Sequence, residues 1–99
     1  MKLYVLSRAD LAKYSKSYPY VQAGHAVAEF LLRNPNHDWK NHTLVYLQVP
    51  DEHILVSWVR LLKASFHEPV TFREPDIGDE MTAIAVYSNG KVMSELPLL

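Results

Sequence analysis

There is no cysteine in the 99 residues, so disulfides, thiolate metal sites and cysteine nucleophiles are all excluded. Glycine occurs only three times, and no GxGxxG, P-loop, HExxH or GxSxG pattern is present. A cofactor is therefore not expected. No apolar run approaches the roughly 18 residues of a membrane span. The opening stretch Met1-Lys2-Leu3-Tyr4-Val5-Leu6 is short, and Arg8 and Asp10 follow it. It reads as a strand rather than a signal peptide, and a cytoplasmic location is the expectation. Neither repeats nor low-complexity segments occur. The formal net charge of −1 is not the basic balance typical of a protein that tracks long nucleic acids.

What is present fits one globular domain spanning residues 1–99, with 48% hydrophobic and 21% charged residues. So small a chain buries limited surface, which makes a homodimer worth expecting. The charge is unevenly placed: residues 1–42 carry a net +3 and residues 43–99 a net −4. Only the first part has a basic excess to offer a phosphate.

Lys2–Ser7 is β-branched and aromatic, continuously apolar at its centre, and predicts a strand buried on both faces. Residues 10–18 read as a polar loop. Pro19 suits a first helical turn, and Val21, Gly24, Ala28, Leu31 and Leu32 continue at helical spacing until Pro35 ends the helix. A loop over 34–42, with Trp39 packed beneath it, leads to a second strand over 43–49. Asp51 is expected to cap a second helix whose stripe is Ile54, Leu55, Trp58, Leu61 and Leu62. Leu55, Trp58 and Leu62 are expected in the core. A short strand over 69–73, an acidic loop over 74–80 and a strand over 82–87 follow. Ser88-Asn89-Gly90-Lys91 predicts a hairpin turn, with the tail as a further edge strand. The fold class is α/β: a mixed four-stranded sheet with helices packed on it.

Gln22, His25 and Glu29 share one face of the first helix. Glu29 could orient the His25 imidazole and leave its other nitrogen for a ligand. His25 could equally be a helical histidine satisfied within the fold. Gly24, unfavourable in a helix by about 1 kcal/mol, suggests close approach to another backbone. The acidic residues Glu74, Asp76, Asp79 and Glu80 are either a solvated turn or a functional acidic site. Their oxygen atoms suit magnesium or calcium, but the spacing is not that of an EF-hand, and no metal site is expected.

Five segments in order resemble the type II peptidyl-tRNA hydrolases. Tyr4-Val5-Leu6-Ser7-Arg8-Ala9-Asp10-Leu11 is similar to their opening strand and Arg-x-Asp-Leu. Val21-Gln22-Ala23-Gly24-His25-Ala26 is similar to their Ala-Gln-x-x-His-Ala helix start. Pro50-Asp51-Glu52 with Leu55 resembles the opening of their next helix. Thr82-Ala83-Ile84-Ala85-Val86 resembles their last strand, and Lys91-Val92 with Leu96-Pro97-Leu98-Leu99 their C-terminal pattern. The resemblance implies a mixed four-stranded sheet flanked by helices, often dimeric, and an activity on peptidyl-tRNA.

The departures fall on the residues that would carry that activity. The family's catalytic lysine lies four residues before the helix glutamine, where this chain has Tyr18; Lys16 is two residues earlier. The family's Asp-Ala-Gly-Arg-Thr-Gln loop is replaced by Glu74-Pro75-Asp76-Ile77-Gly78-Asp79-Glu80-Met81, with no arginine. Thr82 matches the threonine that follows it. Ester hydrolysis needs an activated water and a stabilised oxyanion. A neutral tyrosine donates one hydrogen bond where a lysine supplies charge, and acids repel the phosphates of tRNA.

The expectation is a non-catalytic binding module for a nucleotide, a nucleotide-derived small molecule or an RNA end. Arg8, Tyr18, Gln22, His25, Arg73 and Thr82 are its expected ligand-binding residues. Tyr14, Tyr18 and Tyr20 offer stacking surfaces, and Lys13 and Lys16 offer charge. Extended nucleic acid and membrane are not expected partners. One alternative is an active hydrolase using Lys16, His25, Asp76 or Glu74, and Thr82. The other is a protein-binding or dimerisation domain whose tail pairs with a partner.

Overall fold

Alternation along the first strand decides the architecture. In the computed structural model, which describes residues 1–39 and 42–99, Lys2–Arg8 forms β1. Leu3 and Val5 point to one face, and Tyr4 and Leu6 to the other. Each face is covered by one helix. α1 (Tyr18–Arg33) packs Ala23, Ala26 and Phe30 on the first face. α2 (Glu52–Ala64) packs Leu55, Val59 and Leu62 on the second.

β2 (Leu44–Val49) runs parallel to β1. β4 (Glu80–Ser88) lies antiparallel on the other side of β1, and β3 (Val70–Glu74) lies antiparallel beyond β4. The sheet is mixed, four-stranded and open, in the order β2-β1-β4-β3. Consequently β1, β2 and β3 all end at one edge of the sheet, where β4 begins. The expected α/β class and mixed sheet are present. No helix among the described residues is long and apolar enough to cross a membrane.

β3 and β4 lose register between Phe72 and Arg73: Phe72 faces Ala83, but Arg73 faces Met81. Thr82 is the extra residue of a β-bulge. The bulge turns Thr82 towards α1, together with Ala83, whereas Met81 and Ile84 join the α2 face.

Asp51 caps α2 as expected, accepting from the Ile54 amide at 2.9 Å. Trp39 is half-buried and donates its indole N–H to the Thr43 carbonyl at 3.1 Å. The loop expectation at residues 40–41 lies outside the described residues.

Several expectations are corrected. Residues 10–18 are not all loop: a 3-10 turn spans Ala9–Lys13 and buries Leu11, and α1 already includes Tyr18. Trp58 is only half-buried, flanking the core with Ile54 and Leu61 around a shallow apolar cleft. Gly90 does not make a hairpin; it leads into the 3-10 turn Lys91–Met93, with its α-carbon against Tyr4. The tail then crosses the sheet edge and meets β2. There the Gln48 amide donates to the Pro97 carbonyl at 2.9 Å and the Leu99 amide to the Tyr46 carbonyl at 3.0 Å.

Candidate functional site

The edge where β1 and β3 end gathers most of the expected residues. Alternation along β3 sends Val70, Phe72 and then Glu74 to the α1 face. The first turns of α1 bring Gln22 to meet Glu74, and the bulge supplies Thr82. Gln22 Nε2 donates to Glu74 Oε1 at 2.9 Å, and Thr82 Oγ1 donates to Gln22 Oε1 at 2.6 Å. Gln22 and Thr82 are fully buried and Glu74 nearly so. The second Glu74 oxygen accepts from the Asp76 amide at 3.3 Å. Ser7 ties β1 to the same turn of α1 by donating to the Pro19 carbonyl at 2.7 Å. The network is closed on itself: each of its side chains already has a partner inside the protein.

Arg8 sits at the same edge but is engaged elsewhere. Its side chain is 4% exposed. Nε and Nη2 donate to the Asp10 carboxylate at 3.0 and 2.8 Å, and Nη1 donates to Glu80 Oε1 at 2.7 Å and to the Met81 carbonyl at 3.1 Å. The hydrogen bond to Asp10 raises the Arg8 pKa most, burial opposes it, and Glu80 raises it further. Arg8 therefore pins the end of β1 to the start of β4.

Tyr18 stands at the first residue of α1, half-buried, edge-on to the Tyr14 ring at 5.4 Å. Its phenol is held above the ordinary tyrosine range, first by desolvation and then by the carboxylates of Glu74 and Asp76. Tyr14 and Tyr20 are about half exposed, and Lys13 Nζ lies over the Tyr14 ring at 5.2 Å. The side chain of Asp76 is outside the network, which uses its amide. Lys16 is exposed and, among the described residues, makes no hydrogen bond or ion pair.

His25 and Arg73 form a second group, on the outer flank of α1 and β3. His25 stacks on Phe72 with ring centroids 4.6 Å apart and planes 5° from parallel. Glu29 does not orient it; that carboxylate accepts from Arg33 Nε at 2.9 Å, one helical turn on. A cleft of about 390 Å³ runs beside this stack, lined by Glu29, Arg33, Thr71, Phe72 and Arg73. Arg73 is exposed and donates to the Asp79 carbonyl at 3.2 Å.

The six residues expected at one ligand site are thus divided. Gln22 and Thr82 meet in the closed network, with Tyr18 at its rim and Arg8 beside it in its own ion pairs. His25 and Arg73 flank the outer cleft. Sequence reasoning named Glu74 as an acid of the loop and of the hydrolase alternative but missed it as the partner of Gln22, although its alternation with Phe72 was readable. It also missed Phe72 as the partner of His25 and Arg33 as the second cation of the cleft. Among the described residues no group of three or more histidine or acidic side chains is arranged to hold a metal ion. No family model matches the chain, and no curated protein matches it.

Proposed function

We propose that this chain is a non-catalytic binding module of the type II peptidyl-tRNA hydrolase architecture, taking a nucleotide-like ligand or an RNA end at the cleft beside His25, Phe72 and Arg73. The order strand–helix–strand–helix–strand–strand and the mixed sheet with one helix on each face support that architecture. One observation carries the ligand class: an exposed imidazole stacked on Phe72 beside a cleft with Arg33 and Arg73 on its walls. A stacked π-surface suits a base, and the two guanidinium groups suit a phosphate. Thr71 adds a hydroxyl. A short ligand fits better than a long one, because Glu74, Asp76, Asp79 and Glu80 crowd the adjoining edge and oppose an extended polyanion.

The chemistry at the matched positions speaks against catalysis. Tyr18 stands where the resembling family has lysine. Gln22, Glu74 and Thr82 satisfy one another, and Arg8 is neutralised by two carboxylates. Each oxygen of the Glu74 carboxylate already accepts a hydrogen bond within the protein, which opposes its use as a base towards a water.

Calorimetry with mononucleotides, dinucleotides and tRNA tests the reading. Binding of a small nucleotide, weakened roughly tenfold or more by His25→Ala and by Arg73→Ala, is the expected result. Many turnovers of peptidyl-tRNA abolished by Lys16→Ala, or nucleotide binding untouched by both substitutions, would overturn it.

A further inference from the structure

The opposite edge of the sheet holds a second cavity, of about 380 Å³, away from the Gln22–Glu74–Thr82 network and round the last turns of α1 from the outer cleft. Its walls include Phe30, His37, Phe66, His67, Glu68 and Tyr87. The His37 ring stands edge-on to Phe30 at 5.0 Å and to Tyr87 at 4.5 Å. His67 shares a 2.9 Å hydrogen bond with Ser88 Oγ, while its buried Nδ1 has no hydrogen-bond partner among the described residues.

Phe66 is the residue that marks this cavity. α2 ends in a Schellman motif, with the His67 amide donating to the Leu62 carbonyl at 2.9 Å and the Phe66 amide to the Lys63 carbonyl at 3.1 Å. That motif places its first residue beyond the cap in the left-handed region, where glycine is favoured. Here the residue is Phe66, at φ 63°, and its side chain is 98% exposed. A large aromatic ring in solvent and a left-handed backbone are each unfavourable. Their coincidence at the rim of an aromatic cavity points to a use for the ring.

The electrostatics select the sign of the occupant. No lysine or arginine side chain lines the cavity. Met1 and Glu68 also line the cavity, and Glu68 is the acidic residue on its wall. The caps of both helices, Asn34 and Ser65, also line the space, so the carbonyl ends of α1 and α2 both face this edge. Helix C-termini favour positive charge. Aromatic faces do the same through their quadrupoles, most effectively for cations that are weakly hydrated.

We propose that this cavity binds a small free ammonium compound carrying methyl groups, of the trimethylammonium type. Phe66 and Tyr87 supply aromatic faces to the methyl groups, and Glu68 with the two helix ends supplies the negative potential. The volume is at the small end of the range of ligand clefts, roughly 300–1,000 Å³, which suits a small molecule.

The test is a titration of the full chain with choline, followed by amide chemical shifts, against the neutral isostere 3,3-dimethylbutan-1-ol. Expected is saturable choline binding with shifts at residues 65–68 and 87, and binding of the neutral isostere weaker by roughly threefold to thirtyfold. Phe66→Ala, whose side chain is already in solvent, is expected to keep the fold and weaken choline binding severalfold; Glu68→Gln is expected to do the same. Equal binding of both probes, absence of saturable binding, or binding unchanged in Phe66→Ala and Glu68→Gln would overturn the proposal. Tighter binding of a trimethyllysine peptide than of choline would overturn the assignment to a free small molecule.

Discussion

Thr82 Oγ1 donates to Gln22 Oε1 at 2.6 Å, joining the bulge of β4 to the first turns of α1 in a fully buried place. Replacing Thr82 by Val preserves shape and removes the donor, leaving a buried amide oxygen unpaired. The expected loss is about 1–3 kcal/mol of folding stability. Thr82→Ser retains the hydroxyl, so its loss should be smaller. Urea denaturation of the two variants measures the difference. Equal stability of Thr82→Val and wild type would mean that this hydrogen bond does not hold the helix start.

Arg8 makes a comparable prediction with a charge at stake. Its guanidinium bridges Asp10 and Glu80, whose side chains are 30% and 39% exposed. Removing the arginine strands two carboxylates, but both keep contact with water, which lowers the penalty. Arg8→Ala is expected to destabilise by about 2–4 kcal/mol. Nucleotide binding at the outer cleft should survive in the folded fraction. Denaturation and calorimetry on the same preparation separate the two effects.

Two backbone positions make the opposite prediction. Gly24 lies mid-helix in α1, and a Cβ built there meets nothing within 4 Å. The close approach expected from its sequence position is not made within the chain. Gly24→Ala should therefore stabilise by about 0.5–1 kcal/mol. Phe66→Gly relieves a left-handed residue and removes an exposed ring, against some added freedom of the unfolded chain. A gain of up to about 1 kcal/mol is expected. Thermal unfolding checks both, and a loss at Gly24→Ala would show that something packs on that face of α1 in solution.

These positions also show what was legible in the sequence. Strand and helix placement followed from the continuous apolar run of β1, which is covered on both faces, and from the stripe on α2, where burial of one face leaves a period in the residues. The meeting of Gln22 with Thr82 was not legible from that period. Strict alternation would have sent Thr82 towards α2, and the one-residue bulge reversed it. Glu74 was within reach, since it follows Phe72 by two on an unbulged strand, but its place in an acidic run disguised it as solvated. His25 was grouped with Glu29 by helical spacing; Arg33, at the same spacing beyond, took the carboxylate instead. Spacing names the neighbours a side chain has on its own helix. It does not decide between them and a ring such as Phe72 arriving from another strand.

Tyr18 carries the remaining prediction, because it stands where the resembling family has a catalytic lysine. Desolvation at the start of α1 holds its phenol above the ordinary value of 10.0, and the charges of Glu74 and Asp76 act in the same direction. The native state thus keeps this proton where the unfolded chain has lost it. Tyr18 then contributes stability that is complete below about 10 and is lost as pH rises through its native value. In an ultraviolet titration the difference between wild type and Tyr18→Phe should report a phenol that ionises later than free tyrosine. The double substitution Glu74→Gln with Asp76→Asn should bring it partway down, leaving the part due to burial. Ionisation at or below the free value would remove both causes. At its ordinary value of 10.0 the phenol is already neutral at physiological pH, and each carboxylate that delays ionisation moves it further from that range. A neutral phenol can donate a single hydrogen bond, and it cannot supply the positive charge a lysine brings to an ester oxyanion.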